Sequence, residues 1–132
     1  MMTGLDTNVV IRFVTQDDAD QSRRANAVFA LAAASGEKLY LGAIALCEVV
    51  WVLRSAYAEP KERVVEVLEA LVGTPEVVIE DGDIVRRALA DYARGPADFA
   101  DYLLARRNDR AGCQTTLTFD GALQGHGNFT QA

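Results

Sequence analysis

Short β-like runs alternate with helical patterns along the whole chain, and this alternation constrains the fold more than any other feature. The first run is cut short at Leu5, and residues 7–14 then read as a short helix. Residues 21–34 form an amphipathic pattern, with Ala25, Val28, Phe29 and Ala32 at helical spacing. Gly36 ends it, and residues 39–41 are a candidate strand. Residues 43–57 predict a helix with hardly any polar face, which implies burial nearly all round. Pro60 stands at the permitted first position of another helix, lined by Val64, Val67, Leu68, Leu71 and Val72. Residues 77–79 read as a strand. Residues 83–94 and 98–110 read as helices, separated by Gly95-Pro96, and residues 115–119 as a strand. The chain stops soon after Phe129, so a last strand is expected to be short. Strands alternating with helices predict a parallel sheet covered by helices. Ligands of such sheets bind at the carboxyl ends of the strands.

At 132 residues the chain has the length of one domain, and with 50% apolar residues it can bury a core without staples. Its net charge of −6 argues against bulk electrostatic attraction to nucleic acid, so any such binding must be local or assisted by metal. The two cysteines, Cys47 and Cys113, lie in apolar surroundings and read as reduced core thiols. The N-terminus lacks a basic region followed by an apolar one, and no apolar run is long enough to cross a bilayer. A cytoplasmic location is therefore expected. Without a secretory signal, the sequon at Asn128-Phe129-Thr130 carries no meaning.

Four carboxylates fall within or beside these apolar segments: Asp6, Glu48, Asp101 and Asp120. Buried acids need a partner or a metal. Asp6 and Asp120 each follow a strand, which predicts that they meet at one sheet edge. Each also has a bland reading, Asp6 as a helix N-cap and Asp120 as a turn residue before Gly121. Glu48 lies mid-helix among Ile44, Cys47, Val49, Trp51 and Val52, and is expected to be buried. Its alternative is a buried ion pair to a distant arginine. Asp98 and Asp101 share a helix face, where a capping box is the competing explanation. Two like charges ~4 Å apart repel by about 4 kcal/mol at an effective dielectric of ~20, so a cluster of four calls for a cation or for bound protons. Oxygen-only donors suit Mg²⁺ or Mn²⁺ rather than zinc. His126 is the only histidine, which leaves little room for histidine-based hydrolysis, and no P-loop occurs. Carboxylates with Mg²⁺ suit in-line displacement at phosphate. Hydrolysis of a phosphodiester is the natural inference.

The chain resembles a PIN-domain ribonuclease, in particular a VapC-like toxin of a toxin–antitoxin pair. The residues that carry the resemblance are Leu5-Asp6-Thr7-Asn8-Val9, Glu48 in its apolar helix, Asp98-Phe99-Ala100-Asp101-Tyr102-Leu103-Leu104, and Thr118-Phe119-Asp120. The resemblance implies a PIN-like three-layer α/β/α sandwich with a central parallel sheet, over a single domain of residues 1–132. It implies Mg²⁺- or Mn²⁺-dependent endoribonuclease activity, homodimerisation and inhibition by an antitoxin. Asp6, Glu48, Asp101 and Asp120 would be the metal-site acids, with Asp6 and Asp101 the most direct ligands. Asn8 and Thr118 would orient acids or water, and Asp98 ranks below Asp101. Arg12, Arg106, Arg107 and Arg110 are candidates for RNA contact or for plain surface charge. The helices from Gln21 and Pro60 could give dimer or antitoxin surface, or pack the core. A non-catalytic Mg²⁺-binding α/β interaction module is the alternative function. A phosphatase would want a second acid where Asn8 stands.

Overall fold

A computed structural model describes residues 1–132. In chain order the elements are β1 (Met2–Gly4), α1 (Thr7–Thr15), α2 (Ala19–Ser35), β2 (Lys38–Leu41), α3 (Ala43–Ser55), α4 (Lys61–Val72), β3 (Val77–Ile79), α5 (Gly82–Arg94), α6 (Phe99–Arg110), β4 (Thr116–Thr118), a 3₁₀ turn (Gly121–Leu123) and β5 (Phe129–Gln131). The α/β class and the parallel pairing are as the alternation predicts. The chain divides into two compact units, Met1–Gly82 and Asp83–Ala132. No helix is long and apolar enough to cross a membrane.

The first unit holds a parallel sheet in the order β1-β2-β3, with Thr3 opposite Leu39 and Tyr40 opposite Val78. Local capping sets the helix starts. Asp6 caps α1 by accepting the Thr7 N–H, and Asp18 caps α2 by accepting the Gln21 N–H at 2.9 Å. Gly42 offers α3 no side-chain cap, and Glu80, just past β3, supplies one by accepting the Ala43 N–H at 2.7 Å. Pro60 sits one position earlier than expected, at the N-cap of α4; its φ of −68° suits either place. The core is built from Val10 and Ile11 of α1, Phe29 of α2, Leu41 of β2, Leu46 and Leu53 of α3, and Leu68 of α4. The Phe13 and Phe29 rings stack at 3.7 Å.

The expected burial of α3 on all sides is not what the structure shows. Ala43, Leu46, Val49, Val50 and Leu53 are buried, but Ile44 is 79% exposed and Trp51 is 69% exposed. One apolar face suffices to pack the helix. The surplus apolar residues fall on the opposite face, together with Glu48, which is exposed. The cysteines also depart from expectation. Cys47 is half-buried and Cys113 is exposed, because Cys113 falls in the connection after α6 rather than in an element with a buried face.

The second unit pairs β4 with β5 in parallel, Thr116 opposite Phe129 and Thr118 opposite Gln131. The last strand is short, as expected, at three residues, and Phe129 anchors it by packing with Ala105 and Leu123. Tyr92 and Phe99 meet edge to face at 6.0 Å. Gly95 is required by close approach: a Cβ there would lie 1.8 Å from the Tyr102 hydroxyl oxygen, which also accepts the Ala97 N–H at 3.2 Å.

Candidate active site

Two groups of acids emerge, one in each unit. In the first unit, both carboxylates rest on Thr7. The Thr7 N–H donates to Asp6 Oδ1 at 2.8 Å, and the Thr7 hydroxyl donates to Glu48 Oε1 at 3.0 Å. Thr7 is itself buried, so its side chain is a fixed post between the end of β1 and the outer face of α3. Asp6 lies directly beyond β1, at the carboxyl end of the strand, as the alternation predicts. Asp6 and Glu48 are exposed rather than buried, so each keeps oxygens facing solvent. The expectation of a mid-core Glu48 is thus corrected: the carboxylate is held by one hydroxyl, not by enclosure. Asn8 is exposed on α1, one residue beyond this post.

The second unit carries Asp98, Asp101 and Asp120. Asp98 is the N-cap of α6, and its backbone N–H donates to Asp101 Oδ2 at 3.1 Å, so the capping-box reading of this pair is correct as far as it goes. It does not account for Asp101 fully. Burial raises the Asp101 carboxyl above its ordinary value; the Asp98 N–H opposes the rise, while the negative charges of Asp98 and Asp120 add to it. Asp101 is thus half-buried and feels the charge of two neighbouring acids. Asp120 itself is exposed and lies beyond β4. Its backbone N–H donates to Thr118 Oγ1 at 3.0 Å, and its Oδ1 accepts the Ala122 N–H at 2.9 Å, which fixes the turn that follows. The Thr118 hydroxyl therefore braces the Asp120 backbone.

Most of the basic candidates are already engaged. Arg12 donates through Nε to Gln21 at 2.7 Å, and through Nη1 to Asp17 at 3.0 Å and the Tyr57 hydroxyl at 3.1 Å. Arg106 grips Asp91 with two bonds, at 2.8 and 3.0 Å, and Arg110 pairs with Asp83. These arginines brace helices.

Sequence reasoning missed two features here. Thr7 was passed over for Asn8, although a hydroxyl directly after the capping acid is the visible clue. The Asp17 network was missed as well. The Tyr57 hydroxyl, the Thr15 hydroxyl and Arg12 together hold the Asp17 carboxyl down at about 2.

No three Asp, Glu, His or Cys side chains are grouped so that they could hold a metal ion by themselves. Zinc would want such a group, whereas Mg²⁺ keeps several waters and is held by one or two carboxylates plus substrate phosphates. The oxygen-only donor set, and a carboxyl raised by burial and further by its acidic neighbours, fit a hard divalent cation of that kind.

Parallel strands with helical connections, one acid just past β1 and another just past β4 in a separate sheet, define an α/β protein with acids at strand ends. The chain belongs to the PIN-domain family, whose model matches residues 4–125. It is similar to a VapC ribonuclease of Aquifex aeolicus (strain VF5), with 24% identity over 115 residues, covering 87% of this chain and 84% of the relative.

Proposed function

We propose that the chain is a Mg²⁺- or Mn²⁺-dependent endoribonuclease and the toxin of a toxin–antitoxin pair. The observation that carries this reading is a PIN-family match that takes in all four candidate acids, with Glu48 held by Thr7 and the Asp101 carboxyl raised by burial and by its acidic neighbours. The similarity to a VapC ribonuclease supports the substrate class.

In this proposal Asp6 and Asp101 are the direct ligands, and Glu48 and Asp120 complete the acid set. When bound, the cation would lower the pKa of water and neutralise charge on the phosphodiester. The protein's own part is positional. Thr7 fixes Glu48 while leaving its second oxygen for ligation or for a proton. Thr118 and the Ala122 N–H fix the turn that presents Asp120. The half-buried Asp101 gains most from a cation, because three negative charges then share a counterion. A single domain over residues 1–132, a homodimer and a cytoplasmic location belong to the same proposal. Light scattering that returned a monomer at working concentrations would remove the dimer from it.

The test is cleavage of structured RNA in Mg²⁺, with and without EDTA, beside Asp6→Asn. Loss of cleavage in both arms is expected. Cleavage surviving both would overturn the metal–acid mechanism. RNA binding without cleavage, across many RNAs, would favour the interaction-module reading instead.

A further inference from the structure

The chain has one Trp, four Tyr and five Phe. Eight of these ten are buried or half-buried, and only Trp51 and Phe119 are exposed, at 69% and 87%. A scattered exposed apolar side chain needs no explanation. Here each exposed aromatic lies close in sequence to a candidate acid of its own unit. Trp51 lies one turn beyond Glu48 on the same face of α3, at the i, i+3 spacing that brings side chains together. Phe119 immediately precedes Asp120. Each unit thus places one solvent-facing ring beside one of its candidate acids.

We infer that Trp51 and Phe119 are stacking platforms for unpaired nucleobases of the RNA held at the acids. This rests on the nuclease reading above and adds to it the residues that position the substrate. An exposed ring offers a π-face that any base can cover, but only a base free of its duplex can reach it. The Trp51 face also suits RNA by its charges. Ile44 and Trp51 flank Glu48, and Arg54 follows on the next turn, with one N–H given to the Glu59 carbonyl at 2.9 Å and its positive charge available to a phosphate. A protein partner covering this face would have to desolvate Glu48 and supply a cation to it. A stacked base leaves the carboxylate in its hydrated surroundings.

Trp51 is the only tryptophan, so its emission reports on this face directly. Asp6→Asn protein, which on this reading does not cut, is titrated in Mg²⁺ with a single-stranded RNA oligonucleotide and with a duplex of the same length. The single strand is expected to quench Trp51 emission and the duplex to leave it unchanged. In the same background, Trp51→Leu and Phe119→Leu, followed by fluorescence anisotropy of labelled RNA, should each weaken binding by about 5- to 150-fold. Trp51→Phe and Phe119→Tyr should restore most of it, which a merely apolar packing role would not require of a ring. Leucine variants that bind like their parent would overturn the inference. So would an emission change that follows protein concentration and ignores RNA, which would mark the face as a protein interface. The two readings fail separately. Quenching by RNA that the wild-type protein never cuts would remove the nuclease and keep the platforms. Normal cleavage and KM in the two leucine variants of the otherwise wild-type chain would remove the platforms and keep the nuclease.

Discussion

The two acid groups of this protein share one kind of support and differ in another. Asp6 and Glu48 are satisfied by donors: a backbone N–H for one and a buried hydroxyl for the other, both from Thr7. Asp101 and Asp120 accept backbone N–H groups as well, but Asp101 is also displaced upward in pKa, first by burial and then by the charges of Asp98 and Asp120. Burial and like charges disfavour the charged form of a carboxyl. Asp101 is therefore poised for a counterion. Substitution should cost different things in the two places.

The largest effect is expected at Asp101. Asp101→Asn should lower ribonuclease activity by more than ~100-fold, beyond the 10–100-fold typical of an outer-shell partner. Its melting temperature should hold or rise. A carboxyl raised in the native state binds its proton where the unfolded chain has already lost one, so its contribution to stability declines as pH rises through that window. Removing the charge removes that decline. Asp6→Asn should lose activity as severely with little change in melting temperature, since Asn caps a helix as well as Asp does. A clear loss of stability in Asp101→Asn, by thermal denaturation, would break the contrast.

Next is Thr7. Thr7→Val leaves Glu48 without its hydroxyl donor. Activity should fall about 10- to 100-fold, as for outer-shell groups that orient ligands, and stability by about 1 kcal/mol. Thr7→Ser should recover activity if the hydroxyl is what matters. Recovery of stability without recovery of activity would show that Thr7 only packs.

Much of the fold could be read from the sequence because its signals are local. The strand at 77–79 and the stop at Gly36 need only periodicity and cap chemistry. The capping box at Asp98 and Asp101 is local too, and the sequence weighed it correctly. What could not be read depends on distant pairing. Thr7 and Glu48 are 41 positions apart, and nothing in either segment announces the bond. The exposure of Glu48 was misjudged for a related reason. An apolar helix and a buried helix look alike until the number of faces that the neighbours cover is known, and here they cover one. Cys113 was misjudged because apolar neighbours in sequence do not make a buried turn.

The contrast can also be read as acid response. Asp17, held at about 2 mainly by the Tyr57 hydroxyl, stabilises the first unit above the ordinary carboxylate value of 3.8. That stability is lost as pH falls through about 2, the reverse of the sign at Asp101. Tyr57→Phe should let Asp17 take up a proton at higher pH and so raise the pH of acid unfolding. Hydrogen exchange at acidic pH should report this as faster opening of α1 and α2, with α6 unchanged. Equal acceleration in both units would mean that the response belongs to the whole chain.

The smallest effect is expected at Asp98, and it decides between two readings of one helix turn. If Asp98 only caps α6, Asp98→Ala should cost about 1 kcal/mol of stability. Part of that loss should be offset, because the substitution also removes a like charge beside Asp101. Activity should then stay within about threefold, and Asp98→Ser should restore stability by capping without charge. If Asp98 were a ligand, Asp98→Ala and Asp98→Ser would both lose activity on the scale of Asp101→Asn, and the serine cap would rescue nothing. The serine variant thus separates the charge of Asp98 from its hydrogen bond, which alanine alone cannot do.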